Sequence, residues 1–429
     1  MLDIRKWLGT AAACAATALT ACGGGGSSSD SASVRLVNAT LTHASISLLA
    51  NGVAAVDATA IDAASGYVGV AAGSPALQVN DTTSGSALAT LAPSVAKDSH
   101  YVVIAYESGG ALRTTVIAED TAAPAAGTAS LRVFDAATDA GAIDVYVTDP
   151  ATDITTLTSP TFTFISSTSL QASGFLAIAP GTYRVRVTGS GNPLDLRLDM
   201  PSVALTSQEV AALMLTPTTG GTLVNGAVVA QQGTYTAGRN TSARVRLAAA
   251  VSSGAIVLAS AGTAAIGSNV VSPSVGGYVI VAAGAAINVS VNGASIGAPA
   301  ATLAAGSDST LLVHGAAAAP TASLIADDNH LPATSGNLKL RLLNGLTGAA
   351  SPLTLDAAFA VIASNVAPGT VSPYAVVASS TALRIDVFSP ASLTPIYSDS
   401  ALPVPGNAVY TLFMLGDAAT PIPLLRRDR

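Results

Sequence analysis

Val34-Arg35-Leu36, Leu131-Arg132-Val133, Val245-Arg246-Leu247 and Leu340-Arg341-Leu342 are one apolar-Arg-apolar triplet written four times. The arginines stand 97, 114 and 95 residues apart. A second anchor keeps step with the first: Gly66-Tyr67, Gly174-Phe175, Gly277-Tyr278 and Pro373-Tyr374 follow their arginines by 32, 43, 32 and 33 residues. Two anchors holding register through four copies make an internal repeat of roughly 90–110 residues, each long enough to bury its own core.

Within each copy the local pattern is that of strands. After the aromatic residue comes a short apolar segment and a turn, as in Tyr67 to Gly73, Phe175 to Gly181, Tyr278 to Gly284 and Tyr374 to Ser380. Copy two then alternates cleanly through Tyr183-Arg184-Val185-Arg186-Val187, and copy three through Ile287-Asn288-Val289-Ser290-Val291. Period-two alternation puts Val185 and Val187 inward and Arg184 and Arg186 outward. Later apolar runs, Tyr101 to Tyr106, Val210 to Leu215, Thr310 to Val313 and Val409 to Leu415, supply further strands. Alanine is common, yet glycine and β-branched residues interrupt every helical period. The expected fold is all-β: tandem immunoglobulin-like antiparallel β-sandwich modules at 34–120, 131–231, 244–329 and 338–429, joined by Thr/Ala/Pro/Gly stretches.

The N-terminus reads as an address. Arg5 and Lys6 precede an uncharged stretch from Trp7 to Ala21, too short to span a bilayer comfortably. It ends in Leu19-Thr20-Ala21-Cys22, which resembles a bacterial lipobox. That resemblance implies a lipoprotein signal peptide over 1–21, cleavage before Cys22, and a diacylglyceryl anchor with palmitate-type acyl chains on its thiol. Residues 22–33, with Gly23 to Gly26 and Ser27 to Ser29, form a flexible tether. Gly23 in the position after the lipidated cysteine favours the outer membrane by resemblance to the enterobacterial sorting pattern. Maturation would remove Trp7 and Cys14, leaving Cys22 as the one cysteine. No intrachain disulfide then remains, and stability must come from burial.

Phrases in the repeats resemble a known family. Ile143-Asp144-Val145-Tyr146-Val147, the Gly-aromatic pair, and the run from Ala179 to Val187 look like the bacterial domain-of-unknown-function family 4397. Copy two carries the resemblance best, and copy four lacks the turn glycine. The resemblance implies an all-β, exported envelope module and brings no catalytic residues with it.

Chemistry is sparse. The chain of 429 residues is 50% hydrophobic, 10% charged and 4% aromatic, with net charge −7, four His and two Cys. No basic run exists to meet nucleic acid. Gly293-Ala294-Ser295-Ile296-Gly297 matches a nucleophile elbow in letters, with Asp308 and His314 as formal partners. Asn292-Gly293, however, reads as a hairpin turn, and no strand–helix unit surrounds it. Asp135, Asp139, Asp144, Asp149 and Asp153 lack calcium-loop spacing. Asp327-Asp328-Asn329-His330 reads as linker polarity, and His43 and His100 as structural residues. No metal, cofactor or catalytic set is expected. From Leu247 to Ser307, 61 residues carry no charge, which suggests either a Ser/Thr/Asn solvent face or a packed one.

The recurring arginines 35, 132, 246 and 341 are expected to point away from the core their neighbours fill, over an aromatic or against a carboxylate. The functional expectation is a non-enzymatic, lipid-anchored cell-envelope protein with a structural or adhesin-like role, its partners a membrane through the lipid and an envelope protein or polysaccharide. Carbohydrate or polymer binding and a periplasm-facing assembly scaffold are the alternatives.

Overall fold

The structure is a computed structural model that describes residues 30–429. The lipobox, Cys22 and the glycine tether lie outside the described residues. Among the described residues the one helical turn is Ile154–Thr156; the rest is strand and loop. No helix among them is long and apolar enough to cross a membrane.

Four sandwiches follow one another, each of two sheets. In module 1 the first sheet is built on Ser31–Ala39, with Ala63–Ala64 and Val68–Ala71 on one side and His100–Ser108, then Ala111–Ala118, on the other. The second sheet runs Val53–Ala60, Ser45–Ala50, Leu77–Asp81, Ala87–Leu91. Modules 2, 3 and 4 begin on Ala129–Asp135, Ser242–Val251 and Asn337–Thr347 and repeat this plan. One pairing in every module departs from the antiparallel pattern. The first strand lies parallel to the penultimate one, with Arg35 opposite Val102, Arg132 opposite Ala212, Arg246 opposite Thr310 and Arg341 opposite Thr411. A first strand that entered by a hairpin would be antiparallel to its neighbour. This one instead joins a strand from the far end of the module, so sequence adjacency does not set its direction.

The second departure is larger. The repeats are not separate beads, because their first sheets are buried on both faces. Val34 and Leu36 fill module 1's own core with Ile46, Leu48 and Val103. The alternate residues Val37 and Ala39, with Val102, Ile104 and Tyr106, pack against Phe134, Ala136, Ala212, Met214 and Val229 of module 2. Modules 3 and 4 repeat the arrangement through Ala248, Ala250, Val275 and Leu312 on one side and Leu343, Phe413 and Leu415 on the other. At Gly345 a Cβ would stand 2.8 Å from the Ala250 Cβ and 2.7 Å from Leu415 Cδ2, so only glycine allows the two first strands to cross this closely. The uncharged stretch of module 3 is therefore divided. Its first sheet is covered by module 4, while Ile256 and Leu258 of the second sheet stay exposed.

The two pairs also touch. Gly220 N–H donates to the Gly306 carbonyl at 2.9 Å, and Asn329 N–H donates to the Gly220 carbonyl at 3.1 Å. A Cβ on Gly221 would meet the His330 N at 2.5 Å.

Candidate functional site

The recurring arginines and aromatics come together at the module contacts. Each arginine is the residue of its strand that faces the neighbouring module, between residues committed to the home core. Arg35, Arg246 and Arg341 are each 2% exposed, and three of the four copies supply a buried acid at one equivalent place. That place is the end of the last strand, two residues before the arginine's parallel partner. It holds Glu119 beside His100, Asp327 beside Asp308 and Asp428 beside Val409.

Modules 3 and 4 exchange these groups. Arg246 of module 3 is paired with Asp428 of module 4, and Arg341 of module 4 with Asp327 of module 3. Arg246 Nε donates to Thr310 at 2.9 Å, and Thr310 donates to Asp327 at 2.7 Å. Arg341 Nε donates to Thr411 at 3.0 Å, and Thr411 donates to Asp428 at 2.5 Å. Tyr278 caps Asp327 at 2.6 Å and Tyr374 caps Asp428 at 3.3 Å. Each guanidinium lies over its own module's tyrosine, 4.6 Å from Tyr278 and 4.4 Å from Tyr374. The result is a closed polar cluster inside an apolar contact, with the carboxylates multiply satisfied. Two charges buried this way are tolerable because each meets its opposite and hydrogen bonds complete the shells.

The electrostatics follow. Burial works against the charged form of Arg246, but Asp428, Tyr278 and Asp327 outweigh it, and its pKa stands above the ordinary arginine value. Burial, reinforced by Asp327, raises the Tyr278 phenol well above its usual range, and burial raises Tyr374 likewise. Both stay protonated as donors.

Modules 1 and 2 keep half of this design. Arg35 pairs with Glu119 of its own module, Nε donating at 2.8 Å, and reaches across to the Gly233 carbonyl at 2.8 Å and Ala230 carbonyl at 3.0 Å of module 2. Tyr67 also donates to Glu119, and its ring lies 5.1 Å from the guanidinium. Module 2 has Gln231 where the others have an acid, bonded to Thr121 instead. Arg132 is accordingly half-buried and sandwiched by Phe134 at 4.3 Å and Phe175 at 4.6 Å. Burial lowers its pKa. With ring contacts in place of an ion pair, Arg132→Ala is expected to cost about 1–2 kcal/mol, read as a modest drop in melting temperature of residues 30–429. An unchanged melting temperature would show that the ring contacts carry no stability.

The other sequence candidates are dispersed. Ser295 is exposed on a hairpin whose turn, Asn292 and Gly293, has φ of 52° and 81°. Asp308 and His314 lie on the opposite sheet, Asp308 paired with Arg244 at 3.1 Å and His314 near Thr321 at 3.0 Å. The elbow geometry is not formed. Asp135 and Asp144 are buried apart from Asp153, which caps the Ile154–Thr156 turn. Among the described residues no group of three or more His, Cys, Asp or Glu is placed to hold a metal. His43 meets Asp81 at 3.0 Å, and His100 meets Asp120 at 3.1 Å, edge-on to Tyr67. Val185 and Val187 are inward, but Arg186 is 7% exposed because the loop after Thr148 folds over it, its guanidinium reaching Thr148 and the Thr152 carbonyl.

The run Asp327 to His330 is not solvated linker polarity: Asp327 and Asn329 are buried, and the run forms a junction between the pairs. His330 lies 2.6 Å from Asp328 and 3.6 Å from Asp139 of module 2, while Lys339 of module 4 reaches Asp328 at 2.6 Å. Lys339 and His330 hold the Asp328 carboxylate below its usual range despite partial burial, and Asp328 and Asp139 raise His330 against burial. Arg429 donates to the Gly221 carbonyl from the same side.

Residues 32–146 match the family described as Domain of unknown function (DUF4397). The match takes in module 1 and the start of module 2, including Ile143 to Tyr146, and stops before the run from Ala179 to Val187. A solved structure of a proposed cell adhesion protein from Bacteroides uniformis aligns at 12% identity and a TM-score of 0.22, over 47% of this chain and 98% of its own. No curated protein matches the chain. The described part of the chain is thus nearly all β, in repeated sandwich modules, with its N-terminal quarter similar to that family.

Proposed function

We propose that this is a non-catalytic envelope protein, anchored through lipid on Cys22 at the outer membrane, that presents four fused β-sandwich modules as one rigid surface. The observation that carries the reading is the use made of the buried charges. Three of the four recurring arginines are spent on holding modules together, Arg246 and Arg341 through acids of the partner module and Arg35 through two carbonyls of module 2, not on a solvent-facing constellation of nucleophile, base and orienter. Rigid display suits a structural or adhesin-like role, since a preorganised surface loses less entropy on contact.

The test is fractionation of cells producing the full chain and its Cys22→Ala variant, with intact mass of each. The expected result is a membrane-bound form that starts at lipidated Cys22 and accumulates unprocessed under globomycin, with the variant released from the membrane. Equal membrane retention of the variant would remove the anchor. Protease shaving of intact cells then separates outward display, in which peptides from 34–429 are released, from a periplasm-facing scaffold.

A further inference from the structure

We propose that the pocket between modules 3 and 4 bounded by Arg244, Arg246, Arg426 and Arg427 is a binding site for a small acidic ligand presenting carboxylate oxygens. The pocket has a volume of about 540 Å³ and is lined by these four arginines with Tyr278 and Asp428. In a chain with 18 Lys and Arg and a net charge of −7, four arginines in one pocket is a concentration of positive charge against the overall sign. Two of them are already neutralised, Arg244 by Asp308 and Arg246 by Asp428. Arg426 and Arg427 are exposed and form no ion pair among the described residues. Each spends one donor on a main-chain oxygen, Arg426 on Val275 at 3.3 Å and Arg427 on Arg429 at 3.0 Å. The remaining guanidinium donors have the planar fork that suits carboxylate oxygens.

The reciprocal half of the same module contact indicates the ligand chemistry. Lys339 stands two residues before Arg341, as Arg244 stands two before Arg246, and both cations lie over the equivalent tyrosine, Tyr374 at 4.8 Å and Tyr278 at 4.5 Å. At the Lys339 end the residue after the buried acid is Asp328, and its carboxylate sits on the Lys339 ammonium at 2.6 Å. At the Arg244 end the residue after the buried acid is Arg429, which leaves for Gly221 of module 2. The neighbouring module thus supplies a carboxylate to Lys339, whereas Arg244 takes its carboxylate from Asp308 of its own module. The place that Asp328 fills beside Lys339 holds no side-chain carboxylate at the Arg244 end, where Asp308, Asp428 and, 3.9 Å from Arg246, Asp327 are the acids present.

Isothermal titration of residues 30–429 with citrate, and separately with inorganic phosphate, tests this. The expected result is citrate binding that weakens as sodium chloride is raised, with phosphate binding more weakly. Arg426→Gln/Arg427→Gln is expected to lose about tenfold or more in citrate affinity with unchanged melting temperature. Arg113→Gln, an exposed arginine on module 1, is expected to leave affinity unchanged. Arg426→Lys/Arg427→Lys, which keeps the charge and loses the fork, is expected to fall between. Absence of citrate binding, equal affinity in the double glutamine variant, or phosphate binding as tight as citrate would overturn the assignment.

Discussion

Asp327→Ala is expected to destabilise the unit of modules 3 and 4 by about 3–5 kcal/mol, because it leaves Arg341 buried with its charge uncompensated. Asp327 is fully enclosed and accepts from Arg341 of module 4 and from Thr310 and Tyr278 of its own module. Its loss therefore orphans three donors at once, one of them ionic. The measurement is calorimetry of residues 30–429, following the transition that contains modules 3 and 4, since four modules need not melt as one. High salt is expected to change the loss little, as a buried pair is poorly screened. Asp327→Leu/Arg341→Met removes both charges and is expected to recover most of the stability. A loss below about 1 kcal/mol for Asp327→Ala would put the pair in the class of exposed ion pairs, contradicting sheet-on-sheet contact of the two modules.

Asp135→Asn is expected to stabilise module 2 at neutral and alkaline pH and to do so progressively less toward pH 4. Asp135 is 3% exposed and occupies the place, three residues after the recurring arginine, that Asn38 and Asn344 hold in modules 1 and 4. Both asparagines donate to two backbone carbonyls, Asn38 to His43 and Thr59 and Asn344 to Ser351 and Val366, while their oxygens accept from Thr40 N and Leu346 N. Asp135 keeps the acceptor half of the motif, taking Ala137 N at 3.1 Å. A carboxylate can donate nothing to the other half; a carboxylic acid can. Burial, with Asp139 adding to it, pushes its pKa up to about 7, partly offset by the Ala137 bond.

The sign follows from proton counting. Between the unfolded value near 3.8 and about 7 the folded chain holds a proton at Asp135 that the unfolded chain has lost. Stability from this group is thus fully present below about pH 4, falls as pH rises to about 7, and stays low above. The span corresponds to about 4 kcal/mol at most. The difference in melting temperature between variant and wild type, measured from pH 4 to 8, isolates this residue from other titrations. A difference that stays flat with pH would show that Asp135 is ionised in the folded state throughout.

The strands were legible because the period-two pattern and the paired Arg and aromatic anchors are local. Tyr183 to Val187 shows its inward and outward residues directly, and the recurring triplet marks every first strand. The burial of that strand on its second face also left a signal. Leu36-Val37 is apolar on consecutive residues, and Tyr101 to Tyr106 and Val210 to Leu215 are continuous apolar runs with no alternation. Such runs are what strands covered on both faces look like. The acids that complete the cluster could not be read in this way. Glu119 and Asp428 each follow the last residue of a strand with no motif around them, Asp327 ends a strand within the run that reads as linker polarity, and two of the three act on an arginine of another module. Pairings across modules depend on how the sandwiches dock, which no spacing within a repeat encodes. Parallel pairing of the first strand was hidden for the same reason. Arg186 reads as a solvent-facing residue by alternation and is covered by a loop whose path the alternation does not describe.

A cross-link tests most directly whether the four modules form one body. A Cβ on Gly109 of module 1 would stand 3.6 Å from the Cβ of Ala333, in the segment before module 4, which is within disulfide range. Residues 30–429 contain no cysteine, so Gly109→Cys/Ala333→Cys introduces the only pair. Under mild oxidation the docked arrangement predicts rapid, near-complete intrachain disulfide formation, seen as a loss of two mass units and of both free thiols in monomeric protein. Slow or fractional closure, or disulfides only between chains, would mean that the two module pairs move independently on a flexible connection.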